Sequence, residues 1–209
     1  LAVYISEIRE GLKGEEIIVS RSGNGLLEGL FKREVPEVAK GNVVIKNIAR
    51  EAGMRSKVAV FSNQSGIDPV GSCVGQRGVR VQAIIQEFGG LEKIDIIQWH
   101  EAIKDYIAQS LSPAKNVRVE IDKKEEKMAH VFVPTGELSL AIGRDGQNVR
   151  LASKLTGYRI EIEEENALKE TKETEEPKEA KKVEVEKEKT NEEKKPDVKA
   201  KKVKKEEKE

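Results

Sequence analysis

The chain has 209 residues and a formal net charge of zero, because 38 lysines and arginines balance 38 aspartates and glutamates. A neutral chain lacks the broad positive surface of a duplex-DNA binder, its single cysteine (Cys73) excludes a disulfide framework, and no apolar run approaches the ~20 residues that cross a bilayer. We therefore expect one or two domains in a reduced, cytoplasmic setting, with no metal or other cofactor.

Residues 1–22 are predicted to form a β-hairpin. LAVYISEI is rich in β-forming residues, GLKG indicates a turn, and EEIIVSRS predicts a second strand. Because two strands alone are marginally stable in water, we interpret them as the closing strands of an OB-type barrel. The chain begins at Leu1 without a methionine, and we expect it to be part of a longer protein.

Residues 23–99 are predicted to form a first α+β module. Apolar residues at helical spacing predict a helix over 25–35, and Pro36 limits its continuation. NVVIKNIARE and SKVAVFS predict two strands, and the polar stretch NQSGIDPVGS predicts a loop. A helix over 79–88, which a Gly-Gly pair ends, and a strand over 92–99 complete this module.

The same order of elements recurs in residues 100–164, the second predicted module. Thr135 is expected to cap a short helix that ends at Ile142. The other predicted elements are helices over 101–111 and 147–155 and strands over 116–122, 128–133 and 158–163. An α-β-β-α-loop-α-β order that occurs twice predicts a pair of small α+β domains.

Residues 165–209 have a different composition from the rest of the chain. From Glu164 onward the sequence has 16 acidic and 15 basic residues among 46, with no aromatic residue. Such a segment cannot bury enough apolar area to offset the entropy that ordering it would cost. We predict a disordered, solvated tail.

Two glycine pairs with the same spacing precede the last helix of each module. They are Gly75 and Gly78 in CVGQRGVRVQAI, and Gly143 and Gly146 in LAIGRDGQNVRLAS, 68 positions later. Glycine lets another molecule approach the backbone closely, and the free amides at a helix start attract anions. KH modules use such a GxxG loop to clamp about four nucleotides, so each loop is predicted to hold the phosphates of a single strand.

Polar side chains in and after the loops are the other candidates for RNA contacts. Asp145 places a negative charge beside the phosphate site that the second loop is predicted to form. Two like charges at ~4 Å repel by about 4 kcal/mol at an effective dielectric constant of about 20, before exposure and salt reduce the repulsion. We therefore expect the second loop to bind more weakly, or to guide the strand without holding it. An exposed surface charge is the alternative explanation for each arginine, and Arg80 and Lys57 are weaker candidates. The candidates are Gln76, Arg77 and Arg80 in the first module, and Arg144, Asp145 and Arg150 in the second.

Apolar residues beside the loops are candidates for base contacts, although core packing explains most of them. They are Val60, Val79 and Val81 in the first module, and Val131, Leu140 and Val149 in the second. His100 and His130 are the only histidines, and neither has the spacing of a catalytic or metal site. We expect no enzymatic activity.

Four stretches resemble the NusA family of bacterial transcription elongation and termination factors. They are AREAGMRSKVAVFSN, DPVGSCVGQRGVRVQAIIQEFGGLEKIDIIQW, SPAK and LSLAIGRDGQNVRLASKLTGYRIEIE. The resemblance covers about residues 1–164 and implies the end of an OB-type barrel followed by two type II KH domains. In this family one single strand of RNA crosses both KH domains, held by the two glycine loops.

The resemblance also implies partners. NusA-like proteins bind RNA polymerase and nascent RNA, prolong pausing, and join other Nus factors in termination and antitermination. The family's polymerase-binding domain has no counterpart in this sequence, so we assign polymerase binding to none of its residues. We expect a monomer that does not bind membranes.

Three other functions remain open. A ribosomal KH protein would carry more positive charge than this chain, and the KH-containing exoribonuclease polynucleotide phosphorylase places its OB-type domain after the KH module. An adaptor whose KH folds have lost RNA binding is compatible with the neutral charge.

Overall fold

The computed structural model describes residues 1–12, 14–123 and 125–165, so the predicted tail lies outside the described residues from 166 onward. The chain opens with strands β1 (Tyr4–Gly11) and β2 (Gly14–Ser20), which pair antiparallel with Gly11 opposite Gly14. The predicted β-hairpin is therefore confirmed.

The first module contains one three-stranded sheet, in the order β3-β4-β5, with helices packed on it. Strands β3 and β4 are antiparallel, and β5 is parallel to β4 because the chain crosses over through helices before it returns. Leu27, Phe31, Val58 and Ile84 are fully buried between helices and sheet. The elements are α1 (Asn24–Glu34), α2 (Pro36–Ala39), β3 (Val43–Glu51), β4 (Arg55–Ser62), α3 (Pro69–Val74), α4 (Val79–Glu87) and β5 (Lys93–Gln98).

The second module repeats this topology. Its sheet has the order β6-β7-β8, antiparallel and then parallel. The elements are α5 (Ile103–Ser110), β6 (Arg118–Ile121), β7 (Met128–Val133), α6 (Leu138–Ile142), α7 (Gln147–Thr156) and β8 (Arg159–Glu164). The predicted order α-β-β-α-loop-α-β is thus confirmed in the second module, and the first module has the same order with one additional short helix, α2, before its sheet.

Two local predictions were wrong. The stretch predicted as a loop contains the first turn of α3, because the side chain of Asp68 accepts a hydrogen bond from the Val70 amide (3.0 Å) and a proline occupies the first helical position. Thr135 does not cap α6. It lies inside a single 3-10 turn, Thr135–Glu137, and no side-chain cap bond forms there.

An apolar cluster joins the two modules. Ala49, Ala59 and Ile97 come from the first sheet, and Tyr106, Leu151 and Leu155 come from α5 and α7 of the second module. The amide of Asn47 donates to the Leu155 carbonyl (2.5 Å) across the same boundary. This packing fixes how the second module sits on the first.

Lys57 lies in the same boundary and is fully buried, so its assignment as a candidate RNA contact was wrong. Its Nζ donates to the Ser112 carbonyl of the second module at 2.9 Å and lies 3.5 Å from the Asp95 carboxylate. Burial, the main cause, lowers the pKa of Lys57 to about 8.

Candidate nucleic-acid interface

The two glycine loops have the same backbone geometry. Gly75 lies at φ 76°, ψ 169° and Gly143 at φ 74°, ψ 171°. The third loop residues, Arg77 and Asp145, are both left-handed with φ values of 53° and 52°. Non-glycine residues adopt such values uncommonly, so the repeated sequence pattern corresponds to one repeated backbone shape.

The first glycine of each loop is required by close approach as well as by φ. A Cβ at Gly75 would lie 2.7 Å from the Cγ of Arg80, and a Cβ at Gly143 would lie 2.7 Å from the Cβ and 2.8 Å from the amide nitrogen of Asn148. Each loop therefore folds directly onto the start of the following helix, where the unpaired amides of that helix lie.

In each module, the residue two positions after the second glycine forms a hydrogen bond with the helix that precedes the loop. Arg80 Nη1 donates to the Ser72 carbonyl at 2.6 Å, and Asn148 Nδ2 donates to the Leu140 carbonyl at 3.1 Å. Arg80 also pairs with Glu37 at 2.9 Å, so its guanidinium is engaged within the protein. Sequence reasoning missed Asn148, although the offset of 68 residues from Arg80 would have identified it.

Gly143→Ala is expected to lower the free energy of unfolding by about 3 kcal/mol. The glycine-only backbone conformation and the collision with the Asn148 backbone both oppose a methyl group there. Gly146→Ala is the control, because a Cβ there meets no atom within 4 Å and only the left-handed backbone is strained, at about 1 kcal/mol. Urea unfolding measures both, and equal losses would contradict the close-approach argument.

The first loop borders an open cavity of about 750 Å³. The loop residues Gln76 and Arg77 are exposed, whereas Cys73 lies buried under the loop. Burial raises the pKa of the Cys73 thiol to about 12, so this thiol is a packing group. The cavity is lined by Glu37, Gly66, Ile67, Asp68, Gly71, Ser72, Gly75, Gln76, Val79 and Arg80.

The second loop is exposed at its centre and attached to the first module at its edge. The side chains of Arg144 and Asp145 are 95% and 88% exposed and approach to 3.6 Å. Arg150 binds the Glu51 carboxylate of β3 at 2.7 Å, and Gln147 donates to the same carboxylate at 2.8 Å. Hydrogen bonds from Arg150 and then Gln147 hold the pKa of Glu51 below its usual range.

Arg150 therefore joins the modules and is not a free phosphate ligand in this structure. Its Nη1 also donates to the Asp145 carbonyl at 3.1 Å, and this hydrogen bond stabilises the backbone of the second loop. Glu51 was not singled out from the sequence, because a charged residue at the end of a strand carries no signal of its partner 99 positions away.

The candidates for base contacts divide by burial. Val60, Val81 and Val131 belong to the core, as the core-packing interpretation favoured, whereas Val79 and Leu140 are exposed beside their loops. Within the part of the chain that the structure describes, no three potential metal ligands cluster, and no helix is long and apolar enough to cross a membrane.

Comparison with known proteins gives two family matches. The profile described as the NusA-like first KH domain matches residues 21–99, and that of the NusA-like second KH domain matches residues 103–170. Three proteins named transcription termination/antitermination protein NusA are similar to this chain. That of Halalkalibacterium halodurans is 49% identical over 170 residues, that of Bacillus subtilis 50% over 170, and that of Thermus thermophilus 51% over 164.

These matches cover 81%, 81% and 78% of this chain but only 44%, 45% and 42% of the respective relatives. The chain thus spans less than half the length of the proteins it matches.

Proposed function

This chain belongs to the NusA family, and we propose that it binds single-stranded RNA across its two glycine loops. The observation that supports this function best is the duplicated loop, with the same strained backbone in both KH modules. Exposed loop residues and the amides of the following helix then face one strand, whose bases lie against Val79 and Leu140.

The proposal extends to the role of the bound RNA. The relatives are named for transcription termination and antitermination, and we propose that this chain acts on nascent RNA in the same process, without catalysis, as a cytoplasmic monomer. RNA polymerase and other Nus factors are the proposed protein partners. The KH domains are proposed to span residues 23–99 and 100–164.

The β-hairpin is proposed to close an OB-type barrel. A bulge between Ile5 and Glu7 brings the cross-strand pairs Ile5–Val19 and Ile8–Ile17 onto one face. All four of these aliphatic side chains are at least half exposed. Further strands that cover this apolar face would complete such a barrel.

Placing Asp at both central positions of the first loop, with Gln76→Asp and Arg77→Asp, is expected to weaken RNA binding at least about tenfold. Two carboxylates there would repel the phosphates, and Asp fits the left-handed third position, as Asp145 shows in the second loop. Fluorescence anisotropy with a labelled, unstructured, adenine-rich RNA measures the affinity, and circular dichroism checks the fold.

Arg144→Asp is the matched variant, since it gives the second loop the same Asp-Asp centre. We expect a smaller loss there, because Asp145 already weakens that site. A larger loss at the second loop would reverse this ranking. Unchanged affinity in both variants would remove the RNA-binding proposal and favour the adaptor function.

A further inference from the structure

A second cavity, of about 410 Å³, lies where the two modules meet. Its walls come from the turn between β3 and β4, from the first residues of β4 and β5, and from the second glycine loop with the start of α7. Neither module forms this cavity alone. It is lined by Met54, Arg55, Lys93, Arg144, Asp145, Gln147 and Arg150.

The cations of this cavity fall into two kinds. Arg55 and Arg150 are already paired, with Asp95 and Glu51 respectively, each at 2.7 Å. Lys93 is exposed and forms no ion pair with any described residue. Arg144 approaches only its own neighbour, at 3.6 Å. Each module therefore contributes one exposed cation to the cavity. Lys93 has no ion pair among the described residues, and Arg144 is paired only with the adjacent, 88% exposed Asp145.

We propose that this junction cavity binds a backbone phosphate of the RNA strand between Lys93 of the first module and Arg144 of the second. The inference rests on the proposed function and deepens it, because it makes a residue of the first module part of the second clamp. An oxyanion bridging two cations is the expected use of such a pair.

The junction site also accounts for the acidic residue in the second loop. Asp145 opposes phosphate binding at that loop, and Lys93 supplies a compensating positive charge from across the boundary. Met54, whose side chain stands 61% exposed at the same wall, offers an apolar surface for the neighbouring sugar or base. The second clamp is therefore complete only when the first module packs beside it.

The test compares Lys93→Gln with Arg159→Gln. Lys93 begins β5, and Arg159 begins β8 at the same place in the second module. Both substitutions remove one exposed positive charge, but Arg159 does not line the junction cavity. Anisotropy titrations of the full chain with a labelled adenine-rich RNA, long enough to reach both loops, are run at several salt concentrations.

We expect Lys93→Gln to weaken binding about fivefold and to lower the slope of log affinity against log salt by about 0.7, the value for one lost phosphate contact on a single strand. Arg159→Gln is expected to stay within about twofold of the unaltered protein. Combining Lys93→Gln with Arg144→Gln should cost less than the sum of the single changes, because both cations hold one phosphate.

Equal effects of Lys93→Gln and Arg159→Gln would show general charge attraction and overturn the junction site. So would an unchanged salt slope in Lys93→Gln, or strict additivity with Arg144→Gln. If Gln76→Asp with Arg77→Asp abolishes binding while Lys93→Gln has no effect, the proposed function survives and this inference fails. If the loop variants have no effect, the proposed function itself fails.

Discussion

Arg50→Met is expected to lower the free energy of unfolding by about 3–5 kcal/mol, because it leaves a buried carboxylate without its partner. The side chains of Arg50 and Glu92 are 2% and 0% exposed, and their Nε and Oε1 atoms lie 2.8 Å apart. A second hydrogen bond, from Nη2 to Oε2 at 2.9 Å, makes the pair bidentate.

The pair holds together parts of the first module that are distant in sequence. Arg50 also donates to the Gly23 carbonyl (2.6 Å), just before α1, and lies over the Phe88 ring at 4.6 Å. Glu92 also accepts from the Ser56 hydroxyl at 2.6 Å. Burial alone would raise the pKa of Glu92, but hydrogen bonds from Arg50, Ser56 and the Gly53 amide outweigh it and lower that pKa.

Urea unfolding followed by circular dichroism measures this loss. Arg33→Met is the control, since the Arg33 side chain is half exposed and its partners Glu34 and Glu87 are only partly buried. Ion pairs at the surface contribute about 0–1 kcal/mol. Adding Glu92→Met to Arg50→Met should recover part of the stability, because no unpaired charge then remains buried. An Arg50→Met loss no larger than that of Arg33→Met would contradict the argument.

The order of the elements and the position of both loops were predictable from the sequence because they depend on local signals. Apolar spacing within one helix or strand and paired glycines act over a few residues. The partners of Asn148 and Glu51 were not predictable in this way, because their contacts depend on how distant segments pack.

Strand β4 shows the same limit within one element. Its alternation places Val58 and Val60 in the core of the first module, which makes the opposite face look solvent-exposed. Ala59 and Lys57 lie on that opposite face, and the second module covers it. Nothing in the eight residues of this strand indicates that a lysine on its outward face will be covered by another domain.

Because Lys57 is buried between the modules, we expect the free energy of unfolding to rise with pH in the alkaline range. Burial lowers the pKa of Lys57 from 10.5 to about 8 in the folded protein. Between those two pH values the unfolded chain holds a proton that the folded chain has released, so the free energy of unfolding rises with pH. Below pH 8 the buried ammonium lowers the free energy of unfolding by about 3 kcal/mol. This destabilisation disappears as the pH approaches 10.5.

Lys57→Met should remove this rise. From neutral pH to about pH 9.5, we expect the unaltered protein to gain about 2 kcal/mol relative to Lys57→Met. Asp95 keeps its 2.7 Å pair with Arg55 in that variant. The substitution therefore leaves no unpaired charge that would itself change the free energy of unfolding. Lys104→Met, at an exposed position in α5, serves as the control and should keep the rise.

Trp99 provides the measurement at the boundary itself. It is the only tryptophan of the chain and packs against the apolar cluster that joins the modules, so its fluorescence reports their separation during urea unfolding at each pH. Because a neutral amine still donates to the Ser112 carbonyl, releasing the proton removes the buried charge without removing the hydrogen bond between the modules. Parallel pH profiles for the unaltered protein and Lys57→Met would show that the Lys57 ammonium is solvated, and that the two modules do not pack over it.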